Sequence, residues 1–290
     1  MSRGERDVEA GVHIVGLVVP DLLDSHYAEV AKAVARVLRP EGYMVLLASS
    51  EGEAGSERQA LELLLGCPQV EGLILATAQA APELGLFRRM GNRGVACVLI
   101  DRRLPGVEAP FVGADDAEIG AAATEHLIAR GCRHIAHIQG PESSSGAARL
   151  NGYAAALARH GLRNSPGYVA PGGTDDAAGF RAMRGLLAVN PRLDGVVCFN
   201  DAVAVGAIKA VLGAGLDVPL DIEVIGAGNL HYSDILRVPL STIDLNSGRI
   251  GEEAAGLLVR RLRAGGPLPA EEILVPFELI PRESSRQICV

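Results

Sequence analysis

At 290 residues, 48% of them hydrophobic and 21% charged, the chain is long enough for two domains and too apolar to be disordered. Its 35 acidic side chains outnumber 27 Lys and Arg, and the net charge of −8 repels phosphate backbones, which argues against unaided DNA binding. No apolar run approaches the roughly 18 residues that cross a bilayer, and the opening MSRGERDVEAGVH has no apolar stretch, so a cytoplasmic chain with no membrane partner is expected.

VHIVGLVV (12–19) reads as a buried strand, and YAEVAKAVARVLR (27–39) as a helix ended by Pro40. YMVLLAS (43–49) is a second strand, SERQALELLL (56–65) a helix and GLILAT (72–77) a third strand. A helix near 82–91 and the strand VACVLID (95–101) follow. Apolar strands separated by helices indicate βαβ units and parallel sheets. The pattern then repeats: HIVGLVVPD (13–21) resembles HIAHIQGPE (134–142), VEGLILA (70–76) resembles LDGVVCF (193–199), and Gly42 has a counterpart in Gly161. The fold class is therefore α/β, with two similar doubly wound parallel-sheet lobes.

The run VVCF (196–199) stops at Asn200 and Asp201, and a helix of small residues begins at once. In open α/β sheets ligands sit outside the carboxyl ends of strands. Asp201, next to the helical run, is expected to cap the helix, leaving the Asn200 amide free for a ligand. RRLR (260–263) reads as the last turn of a helix, where cations offset the dipole. The five cysteines, Cys289 among them, are scattered and expected as free thiols. His134 and His137 lie on or beside a strand with no nucleophile near them in sequence. No motif for a nucleophile elbow, a phosphate loop or a zinc helix is present, so no catalytic residue, metal or cofactor is assigned and an enzyme is not expected.

Taken in order, VGLVVPD, EGYMVLLASS, VLIDRRLP, ATEHLIARGCRHIAHIQGP, ARLNGYAAAL, NDAVAVGAIKAV, VPLDIEVIGAGN, PLSTI and PRESS resemble the effector-binding core of lac-repressor-type (LacI/GalR) transcriptional regulators, over about residues 12–285. The resemblance implies a periplasmic-binding-protein-like fold of type I, two lobes joined by three crossovers with a small effector held between them. It places 12–131 and 240–266 in the first lobe and 132–239 and 267–285 in the second, with ILVPFELI finishing in the second. It also implies a homodimer, expected from SERQALELLLGCP and segment 82–91, and control of operator DNA through a helix-turn-helix headpiece that this chain is expected to lack, MSRGERDVEAG being leftover linker or vector sequence. A solute-binding protein of a sugar transporter is the alternative.

The same resemblance assigns ligand contacts. His26 and Tyr27 match an aromatic pair that packs on the ligand, although Tyr27 also fits ordinary packing at a helix start. Asp101 and Arg102 match a strand-end pair that binds hydroxyls, and a salt bridge across a loop is the other reading. Arg149 matches the pocket arginine, Asn200 the pocket amide, and Asp115 an aspartate that contacts either ligand or lobe. Thr174 stands at an aromatic wall position, Gly228 replaces an aspartate and Leu245 a glutamine. The lost carboxylate counts against a polyol-rich sugar, and fewer acids beside retained arginines also suit an anionic or phosphorylated ligand, so the effector is expected to be a sugar or a sugar-like or phosphorylated metabolite.

Overall fold

The structure, a computed structural model, describes residues 12–79, 83–264 and 269–285; the expected linker, Cys289 and the 266/267 boundary lie outside them. The described residues form two compact units: those up to Leu22, within Tyr27–Val112 and within Gly248–Ile273 build one, and those of Leu23–His26, Gly113–Ser247 and from Leu274 to Ser285 build the other.

In chain order the first unit contains β1 (His13–Val19), α1 (Ser25–Leu38), β2 (Tyr43–Ser49), α2 (Ala54–Gly66), β3 (Val70–Leu75), α3 (Leu84–Asn92), β4 (Ala96–Ile100) and β5 (Phe111–Gly113). The second contains α4 (Asp116–Arg130), β6 (Ile135–Ile138), α5 (Ser144–Arg159), β7 (Val169–Ala170), α6 (Asp176–Val189), β8 (Gly195–Cys198), α7 (Asp201–Gly213), β9 (Glu223–Ala227) and β10 (Ser241–Asp244). α8 (Ser247–Ala264) and β11 (Glu272–Leu274) return to the first unit, and β12 (Glu278–Ile280) closes the second.

The sheets have matching strand orders, β11-β5-β4-β3-β1-β2 and β12-β10-β9-β8-β6-β7. β1 corresponds to β6 and β3 to β8, the pairs whose sequences repeat. Neighbours from β2 to β5 and from β7 to β10 run parallel, whereas β12 runs antiparallel to β10. Strand periodicity divides the second core between two faces: Val196, Cys198 and Val224 pack with the α6–α7 side chains Met183 and Val211, while Val197 and Ile225 pack with the α4–α5 side chains Leu127 and Tyr153.

The division of the chain corrects the expected boundaries. The second unit begins at Gly113, not after Gly131, because α4 packs on α5. A Cβ on Gly120 would sit 2.1 Å from the Arg149 carbonyl oxygen, and one on Gly152 would sit 1.9 Å from that of Ala117, so both contacts require glycine. The return to the first unit comes at Gly248, not near 239–242, because Thr242 and Ile243 of β10 pair with Gly226 and Ala227 of β9. ILVPFELI is split, β11 joining the first sheet and β12 the second.

Candidate functional site

The second unit gathers its polar side chains where the strands end. Asn200 leaves β8 in an extended conformation, so it occupies the cap position, and its Oδ1 accepts from the Val203 amide at 2.9 Å. Its Nδ2 donates to the Thr174 carbonyl oxygen at 3.0 Å. The expected division of roles is therefore reversed: Asn200 is the cap, and Asp201 is the first helical residue. The Asp201 carboxylate is fully buried and accepts from Thr242 Oγ1 at 2.6 Å and from Leu230 N and Ser233 Oγ at 3.0 Å each. Burial pushes its pKa up to about 6, against these hydrogen bonds and the charge of Arg282, which favour the ionised form.

Arg149, on α5, is buried. Its Nε donates to Asp116 Oδ1 at 2.8 Å and its Nη1 to the Phe199 carbonyl oxygen at 2.6 Å, with the guanidinium 4.7 Å from the Phe199 ring centroid. Nη2 has no hydrogen-bond partner among the described residues. Asp115, by contrast, is exposed and caps α4, accepting from Ala117 N and Glu118 N at 3.1 Å each. The carboxylate that reaches Arg149 belongs to Asp116.

The remaining assigned positions divide between backbone and core roles. Thr174 is half-buried and presents its carbonyl oxygen to Asn200. Gly228, at φ +137°, follows β9 and donates its amide to Ile243 O at 2.8 Å. Leu245 is buried in the apolar cluster that includes Ile119, Leu127 and Tyr153. Asn229 accepts from Arg282 Nη2 at 2.7 Å and donates to Asp244 Oδ2 at 2.9 Å. His26, in the first turn of α1, pairs its Nδ1 with Ser247 Oγ at 2.8 Å.

In the first unit Tyr27 is buried on the same turn of α1. Asp101 follows β4 with φ +57° and is half-buried. Arg102 is buried and donates from Nη1 to the Thr77 carbonyl oxygen at 3.0 Å. That loop is held by Glu57, a fully buried carboxylate on α2, which accepts from Thr77 Oγ1 at 2.9 Å, Gln79 Nε2 at 2.8 Å and the Ala78 amide. Burial raises the Glu57 pKa, against these hydrogen bonds and the nearby Arg102.

His137, in β6, is buried against Tyr153 with ring centroids 5.2 Å apart, and burial pushes its pKa down to about 4, so it is neutral at pH 7. Among the described residues no group of three His, Cys, Asp or Glu side chains is placed to hold a metal, and no helix is long and apolar enough to cross a membrane.

Comparison with known proteins places this geometry. A model of the periplasmic binding protein-like domain matches residues 124–285. The chain is 33% identical over 258 residues to the ribose operon repressor of Escherichia coli (strain K12), covering 86% of this chain and 76% of that protein. A solved LacI family transcriptional regulator from Mycobacterium smegmatis superposes with a TM-score of 0.83 at 30% identity, covering 93% of this chain and 98% of that one. The chain belongs to the LacI family of transcriptional regulators. A further solved structure, the transcriptional regulator CelR in its cellobiose complex, matches at 27% identity with a TM-score of 0.85, covering 93% of this chain and 84% of that chain.

Two side chains of this LacI family member escaped the sequence reading. Glu57 falls at the spacing 57, 61, 64, 65, so it shares one helical face with Leu61, Leu64 and Leu65, which are buried as it is. An acid on an apolar stripe is a readable signal for a buried polar network. Asp116 follows another aspartate at a helix start, and a tandem pair there signals that one caps while the other turns inward.

Proposed function

We propose that this chain is the ligand-sensing core of a LacI-type regulator, which takes a sugar or a sugar-like, phosphorylated metabolite at the carboxyl ends of its strands. The observation that carries the reading is Arg149: two of its nitrogens are anchored by Asp116 and Phe199, while Nη2 remains uncommitted. A guanidinium fixed in this way donates to a hydroxyl or an anionic oxygen with little loss of side-chain entropy. Asn200 adds its second Nδ2 hydrogen, and within the first unit Asp101 and Arg102 stand at a strand end as an acceptor and a donor of the kind that binds hydroxyls. His26 and Tyr27 flank the ligand. Asp115, Thr174, Gly228 and Leu245 shape its surroundings through a cap, a carbonyl, a bare backbone and an apolar surface. The named sugars of the relatives, ribose and cellobiose, support the ligand class.

The relatives are named as regulators, which favours this reading over a transporter's solute-binding protein. Ligand preference for one of two arrangements then changes operator binding by a helix-turn-helix headpiece, in the cytoplasm. A homodimer through the first unit is supported by exposed Met44 and Leu46 on β2 and Leu63 on α2. The test is calorimetric titration with D-ribose, cellobiose and ribose 5-phosphate. One of them is expected to bind with a Kd below about 1 mM, and R149K to weaken it at least about tenfold. Silence across the panel would count against the ligand class; binding untouched by R149K would count against the site.

A further inference from the structure

At the opposite end of the first sheet, the amino ends of β3 and β4, lies a cavity of about 880 Å³. The last turns of α3 and α8 and the loop before β5 complete its wall. That volume is within the range of roughly 300–1,000 Å³ that small-molecule sites occupy. Met90 and Val95 are buried beneath it, and Phe87, Val107 and Leu262 remain half-buried along it, so apolar surface is left incompletely covered.

The charge of the wall runs against that of the chain. Arg88, Arg93 and Arg261 face two carboxylates, Glu71 and Glu108. Glu71 is already engaged by His13 and by the Tyr43 hydroxyl. Cys97 adds no negative charge, because burial pushes its thiol pKa up to about 12 even beside Arg261. Arg93 and Arg261 also offset the dipoles of the helix ends they occupy, a structural duty that accounts for them in part. Arg88 has no such duty. It sits in mid-helix, and neither it nor Arg93 has a hydrogen-bond or ion-pair partner among the described residues, although acids exceed bases by eight in the whole chain.

We propose that this cavity is a second ligand site, for an organic anion with an apolar body and a phosphate or carboxylate head. The body covers Phe87, Val107 and Leu262, and the head pairs with Arg88 and Arg93. The inference is independent of the sugar site, which lies at the other end of the strands.

The test uses the whole chain with ¹³C-labelled methionine methyls and 1-naphthyl phosphate as the probe. Met90 lines the cavity, whereas Met44 lies on β2 and Met183 in the core of the second unit, so they serve as internal controls. A saturable shift of Met90 with Met183 unmoved is expected. Inorganic phosphate and 1-naphthol should each bind at least about tenfold more weakly, and R88E should weaken the probe by a similar factor. Arg88 is exposed, and unmoved Met44 and Met183 signals report that the first and second units of the variant are folded. An unperturbed Met90, equal binding of naphthol, or binding unchanged by R88E would each overturn the proposal.

Discussion

Arg149 Nε and Asp116 Oδ1 are 2.8 Å apart, and each side chain is less than one-tenth exposed. Removing either partner takes the ion pair from the buried charge that remains, which costs about 3–5 kcal/mol. R149A and D116A should each lower the stability of the second unit by that order. The double variant should lose far less than the sum, because neither charge is then left unpaired. Urea unfolding of the three variants measures the coupling, and additive losses would mean that the two side chains do not act as a pair.

The pair exists because α4 and α5 approach at Gly120. An alanine methyl there would meet the Arg149 carbonyl oxygen at 2.1 Å, inside any tolerated contact, and the obstacle is backbone that cannot swing away. G120A should therefore separate the helices and cost about 1–3 kcal/mol or more. Sugar affinity should fall with it, since Arg149 loses its fixed position. A G120A protein of wild-type melting temperature would show that the helices have room to spare.

The strands and their repeat were legible because β1, β3, β6 and β8 are near-continuous apolar runs. The boundaries were not, because the allegiance of α4 depends on Gly120 and Gly152, and a glycine in a helix does not announce its neighbour. The site was legible to the level of strand ends and failed at the level of individual oxygens. Asn200–Asp201 and Asp115–Asp116 each contain one cap and one buried carboxylate, in the same order. At Asn200 the first residue of the pair caps, as Asp115 does, so the inward acid is the second in both. Proximity to the helical run suggested otherwise, whereas the cap is set by extended backbone at the strand exit.

That assignment predicts graded effects at Asn200. N200D keeps an acceptor for the Val203 amide and loses the donor to Thr174 O, whereas N200A loses both. N200A should cost about 1–2 kcal/mol and N200D less, measured by thermal unfolding. Equal losses would place the energetic weight on the Thr174 bond instead of the cap.

Glu57 organises the other unit. E57A leaves the Thr77 hydroxyl, the Ala78 amide and the Gln79 amide group without their acceptor, in a buried setting. A loss of about 2–4 kcal/mol is expected from donors stripped of a partner. E57Q should recover part of it, because one amide oxygen still accepts. Hydrogen exchange at the 77–79 backbone provides the local measurement: acceleration in E57A and not in E57Q supports the account, and protection unchanged in E57A contradicts it.

Asp201 makes stability depend on pH with a definite sign. Its pKa rises from 3.8 to about 6 on folding because desolvation outweighs three hydrogen bonds and Arg282. The folded protein thus holds this proton more tightly than the unfolded chain. The stabilisation is complete below about pH 4 and is lost as pH rises through about 6, a change of about 3 kcal/mol. Glu223, pushed up to about 7 by burial, contributes a slope of the same sign, so the comparison is E223Q against E223Q/D201N. The stability of E223Q minus that of E223Q/D201N should fall steadily from pH 4 to pH 7. A constant difference would mean that Asp201 titrates alike in both states, and a growing one that its hydrogen-bond donors and Arg282 outweigh its burial.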